Sequence, residues 1–341
     1  MLGYKAERKT SMKLICKLLS VLLCGFLLAG CTPKSESRTF FAMDTVMNLT
    51  VCGEEGLLDD LQARVQTLEK HLSVTDPQSE IYALNQNGST RLSDDTRELL
   101  ELALGFCRAT DGALDITIYP ALCAWGFTTD SYQVPDDDTL AALRENIDYT
   151  AVTLDGETAS IPEGVMVDLG AVAKGYTALV LTRMLADAGV ESALLDLGGN
   201  IQAIGENPEG RPWGVAVQDP FGEGYLGVLS VTDCSVVTSG GYERNFEQNG
   251  VIYHHILDPD TAAPADTGLC AVTVVGENGL TCDALSTALY VMGKDAALDF
   301  WRSREDFECI LVEPNGAVTV TEGLQDCFRA HVDAVTVAER G

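Results

Sequence analysis

Residues 168–200, DLGAVAKGYTALVLTRMLADAGVESALLDLGGN, constrain this chain more than any other stretch. A short apolar strand is predicted to end at Val167 and meet the tight turn Asp168-Leu169-Gly170. A helix follows over about 171–188, with Ala178, Leu181 and Leu185 on one face and Gly189 placed to stop it. A second strand, 193–195, then runs into Asp196-Leu197-Gly198-Gly199-Asn200. Two Asp-Leu-Gly turns, each at the end of an apolar strand and one opening a helix, offer two backbone approaches suited to a polyanion. Lys174 stands in the first helical turn, where free N–H groups and a mobile cation can serve the same phosphate. On these residues alone, an ordinary strand–helix–strand unit with a solvated lysine fits equally well.

Three other segments carry chemistry. In Thr281-Cys282-Asp283-Ala284-Leu285-Ser286-Thr287, Asp283 and Thr287 are four apart and share a helix face. With a backbone carbonyl from elsewhere they would form an all-oxygen site suited to Mg²⁺; Asp283 as a helix cap and Thr287 as a core hydroxyl is the plain alternative. Tyr253-His254-His255-Ile256-Leu257-Asp258-Pro259 holds two of the four histidines. A strand there predicts one histidine inward and the other exposed. Ser239-Gly240-Gly241-Tyr242-Glu243-Arg244 is a glycine turn followed by a cation, which could also approach phosphate.

The pass along the chain predicts a strand over 41–51, an amphipathic helix over 57–72, and a helix over 79–85 begun by Asp76 and Pro77. Another helix starts at Ser93, and 152–161 folds into a hairpin about Asp155-Gly156. Strands are predicted near 213–217, 226–232, 235–238, 251–257 and 271–275, helices near 282–292 and 295–303, and closing strands at 309–313 and 317–320. Strands and helices mix without strict alternation, so the fold class is α+β.

DLGAVAKGY followed by LLDLGGN resembles the central signature of the ApbE family, bacterial FMN transferases that take FMN from FAD and attach it to proteins. Family-like segments recur in order over 41–292. The resemblance implies mixed sheets with packed helices in a T-fold-related architecture, with FAD in a cleft between two intimate subdomains. It implies Mg²⁺ as cofactor, ligated by Asp283, Thr287 and the carbonyl of Ala171. It implies FAD contacts from Met43, Tyr82, Ala113, Leu114, Asp115, Asp168, Lys174, His255 and Ser286, with 113–115 on a family strand of Asp-Gly-x-x-Asp pattern. Some family members have Gly where this chain has Asp44. His255 matches the histidine of the family's HxxDP motif, and as a neutral imidazole it could accept a proton from an incoming threonine hydroxyl. Asp258 could orient that histidine or the metal, and Lys174 would neutralise the pyrophosphate. The acceptors implied are extracytoplasmic proteins of electron-transfer complexes bearing a Ser/Thr flavinylation motif. If water attacks instead, the chain is an FAD pyrophosphatase; without cleavage, it is an FAD-binding lipoprotein.

The first thirty residues read as a targeting signal. Lys5, Arg8, Lys9, Lys13 and Lys17 flank an apolar run over 18–29 that is short for a membrane span. Leu28-Ala29-Gly30-Cys31 resembles a lipobox, predicting a lipid on Cys31, a polar tether over 31–38 and a catalytic domain over 39–335. That places the protein at the extracytoplasmic face of a bacterial membrane; a cleaved soluble signal is the alternative, and Met12 could be the true start. Without residues 1–30 the chain carries 17 Lys+Arg against 50 Asp+Glu, a surface that repels nucleic acid and anionic lipid, so the lipid rather than charge would hold it to a membrane. Its eight remaining cysteines after Cys31 show no CxxC or metal spacing and read as small buried hydrophobes without a structural disulfide.

Overall fold

The computed structural model describes residues 35–53, 56–129, 131–332 and 334–341. The predicted signal over 1–30 and most of the tether lie outside them. Nine strands form the central sheet: β1 (Ser35–Ala42), β2 (Thr45–Cys52), β3 (Ala193–Leu197), β4 (Ile201–Ile204), β5 (Ser235–Gly240), β6 (Ala271–Gly276), β7 (Glu308–Val312), β8 (Val318–Thr321) and β9 (Val335–Ala338). They lie side by side in chain order. Every neighbouring pair is antiparallel except β8 and β9, which run parallel. Eight helices accompany the sheet among the described residues: α1 (Leu57–Leu72), α2 (Glu80–Asn87), α3 (Asp94–Ala109), α4 (Tyr119–Trp125), α5 (Asp137–Arg144), α6 (Gly170–Asp187), α7 (Gly279–Met292) and α8 (Lys294–Arg302). The class is α+β, as predicted.

The alternation of side chains along each strand divides the core. In β1–β3, Met47, Leu49, Val51, Ala193, Leu195 and Leu197 face α1 and α6. In β6 and β7, Val272, Val274, Cys309 and Leu311 pack under α7 and α8, while Ala271, Val275, Ile310 and Val312 face the other way. A three-stranded sheet, Trp213–Gln218, Tyr225–Val231 and Phe328–Ala330, covers that second face through Val215, Val217 and Leu229. Strands buried on both sides explain why 271–275 and 309–312 read as continuous apolar runs rather than alternating ones. None of the helices described is long and apolar enough to cross a membrane.

Several boundaries differ from the predictions. The single strand over 41–51 is a hairpin, because Met43 and Asp44 both take positive φ (49° and 58°) and reverse the chain between Ala42 and Thr45. The tether is shorter than 31–38, since Ser35–Ala42 is an edge strand whose exposed polar side chains suit its solvent face. The domain also runs past 335, because β9 ends at Ala338. No regular strand ends at Val167; Met166 makes one isolated bridge to Ile118. The helix predicted from 79 begins at Glu80, with Ser79 rather than Asp76 accepting the capping bond, from the Tyr82 N–H. Residues 111–117 form a turn rather than a strand, with Asp111 and Gly112 at positive φ. The strand over 251–257 is interrupted at His255 and Ile256. Of the eight described cysteines, all are thiols; Cys52, Cys107, Cys282 and Cys309 are buried, whereas Cys123 is exposed.

Candidate active site

Because the sheet is antiparallel and in chain order, the β1–β2 turn at 43–44, the β3–β4 turn at 198–200 and the C-terminal end of β5 lie at one end. Gly198 lets the first two turns touch: a Cβ there would stand 2.1 Å from Thr45 Oγ1. Helix α6 carries its N-terminus to the same region. Its Gly170 N–H donates to Asp168 Oδ1 at 2.8 Å, and the Val172 and Ala173 N–H groups donate to the Leu169 carbonyl at 3.0 and 2.8 Å, so the Asp168 carboxylate sits at the positive end of the helix dipole. The turn before it is held from two sides. Asn85 clamps Val167 through two hydrogen bonds of 2.8 and 2.7 Å, and Asp168 N–H donates to the Ile116 carbonyl at 2.8 Å. Tyr82 lies on the same face of α2 as Asn85, one turn earlier.

Helices α6 and α7 meet at Gly175, where a Cβ would lie 2.5 Å from the Gly279 carbonyl oxygen and 2.6 Å from Asp283 Cβ. This approach lets the Gly175 N–H donate to Asp283 Oδ2 at 2.7 Å. A regular helix aims that N–H at the Ala171 carbonyl, so carbonyl and carboxylate border one amide. Asp283 is buried and forms no ion pair among the described residues. Burial raises its pKa to about 6, against the pull of Lys174, the Gly175 N–H and Asn200. Asn200 is buried with neither amide atom completing a hydrogen bond. One turn along α7, Ser286 Oγ donates to the Asp283 carbonyl at 2.9 Å, and Ser239 Oγ lies 2.8 Å from Ser286 Oγ and 3.2 Å from Thr287 Oγ1.

His255 does not follow the one-in, one-out expectation, because the strand breaks there and both histidines are half-buried. His254 Nε2 lies 3.3 Å from the Tyr290 hydroxyl and belongs to the packing. His255 Nδ1 stands 3.2 Å from the Arg244 carbonyl oxygen. As donor there, it leaves Nε2 as the free lone pair. Burial, then the cations Arg244 and Lys174, lower its pKa to about 4, so the ring is neutral at physiological pH. Among the described residues, Asp258 Oδ1 accepts from the Asp260 N–H at 2.8 Å and closes a turn. The orienting group is the Arg244 backbone.

Asp115 is also committed locally: Oδ1 accepts from the Thr117 N–H and hydroxyl at 2.7 and 2.6 Å, and Oδ2 from the Tyr149 N–H at 3.0 Å. It braces the loop that presents Ala113 and Leu114. Met43 is tied to the cleft by its N–H, which donates to Glu69 Oε1 at 2.7 Å, and by the Thr177 hydroxyl, 3.6 Å from its sulfur on α6. Burial raises the carboxyl of Asp168 above the usual range, against Gly170 N–H, Arg244 and Lys174. Glu243 is raised likewise by burial, opposed by Lys174 and reinforced by Asp283. Asp168, Lys174, Glu243, Arg244, His255 and Asp283 therefore share one electrostatic field. Within it, Ser239, Glu243, Arg244 and Asn200 go beyond the predicted site residues; the glycine turn at 239–244 signalled the first three. Among the described residues, no group of three or more His, Cys, Asp or Glu side chains is placed to hold a metal. Any metal here would rest on one carboxylate with hydroxyl and carbonyl oxygens.

Residues 43–311 match the model of the ApbE family. The chain belongs to the ApbE family. It is 33% identical over 354 residues to an FAD:protein FMN transferase of Treponema pallidum, covering 96% of this chain and 97% of that protein. It is 32% identical to one from Vibrio cholerae, covering 80% of this chain and 86% of that protein. Its fold superimposes on the ApbE protein of Thermotoga maritima with a TM-score of 0.81 at 31% identity, covering 87% of this chain and all of the other. The Vibrio cholerae flavin transferase ApbE aligns at 0.78. In this ApbE chain the family segments at 168–174, 255–259 and 283–287 come together at one end of the sheet, and the hairpin at Met43 adjoins them.

Proposed function

We propose that the protein transfers FMN from FAD to a Ser or Thr hydroxyl of acceptor proteins, releasing AMP. The observation that carries this reading is the convergence of Lys174, Asp283, Ser286, Thr287 and His255 at one end of the central sheet. The cations Lys174 and Arg244 suit a pyrophosphate, and a neutral imidazole oriented through Nδ1 suits a hydroxyl proton.

The residues fit Mg²⁺. Asp283 is a buried carboxylate without an ion-pair partner, the Thr287 hydroxyl lies one helical turn away, and the Ala171 carbonyl borders the same amide. These three would hold the ion, and when bound it would neutralise phosphate charge and polarise the phosphorus. Lys174 holds the pyrophosphate oxygens. Met43, Tyr82 and the 113–115 loop flank the rest of the dinucleotide. The acceptor hydroxyl oxygen bonds to the FMN phosphorus as the anhydride bond to AMP breaks, and His255 Nε2 takes the hydroxyl proton. Proximity and charge stabilisation supply most of the rate. The dinucleotide's negative charge also raises the basicity of His255 when it binds.

In this reading the acceptors are extracytoplasmic electron-transfer proteins with a Ser/Thr flavinylation motif, and a lipid on Cys31 anchors the enzyme at that face of the membrane. The test uses the chain from Thr32 onward, which keeps β1 intact, with FAD and Mg²⁺, with and without an acceptor domain. In-gel flavin fluorescence on the acceptor together with AMP release, both lost with EDTA, is the expected result. AMP and free FMN without labelling would identify a pyrophosphatase instead. Tight FAD binding without AMP would leave only a flavin-binding lipoprotein.

A further inference from the structure

The central sheet has a gap beside the site. Val236 pairs with Ile201 on β4, but residues 237–240 continue β5 with no strand partner on that side among the described residues, because the β3–β4 hairpin turns back at 198–200. On the sheet face away from α1 and α6, a cavity of about 350 Å³ opens next to this gap. Asn48, Thr50, Asp196, Thr238 and Glu243 line it, and the strand Trp213–Gln218 roofs it through Gly214, Ala216 and Gln218. Val236 and Tyr242 also line this wall.

The walls say which ligand. None of the residues assigned to FAD lines the cavity, and it contains two carboxylates but no Lys or Arg, which disfavours phosphate. Its volume is at the low end for ligand pockets, enough for a side chain and a short run of backbone but not for a dinucleotide. Hydroxyls, amides and an unpaired strand edge suit an extended peptide, which recognises such an edge by adding a strand. Thr238 and Glu243 line the cavity, and Ser239, which follows Thr238 on β5, has its Oγ 2.8 Å from Ser286 Oγ and 3.2 Å from Thr287 Oγ1, so the cavity abuts the site across one strand.

We propose that this cavity docks the acceptor polypeptide: an extended segment lies along the open edge of β5 and directs its Ser or Thr side chain past Glu243 to the FMN phosphorus. The assignment rests on the transferase reading and places the acceptor on the sheet face opposite the helices that hold FAD.

Two cavity-filling variants test it, Ala216→Trp and Thr50→Arg. Ala216 is exposed on its strand, so added bulk enters the cavity rather than the core. The probe is a dye-labelled acceptor domain whose motif hydroxyl residue is replaced by alanine, so that binding is read without turnover. The expected result is a Kd for this probe raised at least about tenfold in both variants. FAD affinity and acceptor-independent AMP release stay unchanged. Unchanged probe affinity in both variants overturns the assignment. So does a loss of FAD affinity in its place, or a wild-type protein that does not bind the probe. Failure of the transferase reading looks different: wild-type protein would bind the probe yet never label an intact acceptor.

Discussion

Asp283 is the residue on which the chemistry depends most. Asp283→Asn keeps an acceptor for the Gly175 N–H at 2.7 Å and the packing volume, and removes only the charge. Mg²⁺-dependent AMP release should fall by at least about a hundredfold, roughly 2.7 kcal/mol in the barrier, with FAD still bound. A Mg²⁺ titration of AMP release checks this, and full Mg²⁺-dependent turnover by the variant would sink the metal site. His255 makes a separate prediction about stability. Its pKa falls from 6.5 to about 4, chiefly through burial and then through Arg244 and Lys174. A depressed histidine contributes stability that is complete above its unfolded pKa, and that is lost as pH falls from about 6.5 towards 4. The upper bound is roughly 3 kcal/mol. His255→Gln cannot titrate, so urea denaturation should show wild type losing more stability than the variant between neutral pH and pH 4. Equal losses would mean that the imidazole is not buried neutral. At this scale the site was readable where a segment has its own pattern, as with Asp283 and Thr287 on one helix face. Asn200 and the role of Glu243 were not readable, because only the fold sets them against Asp283. Asp258 is near His255 in sequence, and the local turn it closes through Oδ1 with Asp260 is set by the fold rather than by the motif.

Elements at the site are held by two close approaches, and each has its own test. Gly175 is where α6 and α7 touch. In Gly175→Val the new atoms meet the Gly279 carbonyl and the Leu280 Cα, at 2.5 and 2.7 Å from an ideal Cβ, and backbone cannot step aside. The helices must separate, costing about 1–3 kcal/mol by thermal denaturation and uncoupling the Asp283 oxygens from the Ala171 carbonyl. Unaltered melting would show that the approach is slack. The β1–β2 turn goes the other way. Asp44 sits at φ 58°, where glycine is unstrained, so Asp44→Gly should stabilise by about 0.5–1 kcal/mol without loss of FAD binding. A lower midpoint in chemical denaturation would contradict this. The same turn shows why element boundaries were only partly legible. The helix over 57–72 and the hairpin about Asp155-Gly156 announce themselves through spacing and glycine. Met43-Asp44 contains neither Gly nor Asn, so a reversal there reads as continuous strand. Strands β4 and β9 went unseen because each has four residues whose burial depends on distant neighbours. The polar edge strand β1 was read as a tether because half of it faces water.

The whole molecule is acidic enough for its charge to act on stability as well as on choice of partner. Without residues 1–30, 17 basic groups face 50 acidic ones, so most carboxylates have no cation to pair with. The ion pairs that do form are largely at the surface, such as Arg91–Glu157 and Arg211–Glu209, where each adds little. Self-repulsion among the unpaired carboxylates therefore outweighs attraction, and screening should favour the folded state. Raising ionic strength from roughly 10 mM to 150 mM shortens the Debye length from about 30 Å to about 8 Å. The melting temperature of the chain from Thr32 onward should rise across that range at neutral pH, and the rise should shrink near pH 4 as carboxylates protonate. Loss of stability with salt would mean that specific ion pairs, rather than net charge, dominate. The same excess bears on the acceptor. An acceptor docking beside Asp196 and Glu243 meets a negative wall, so salt should slow the association of a cationic acceptor and speed that of an acidic one. Stopped-flow association with the non-reactive acceptor probe, compared across that salt range, reads the sign directly, and a rate indifferent to salt would place docking away from these carboxylates.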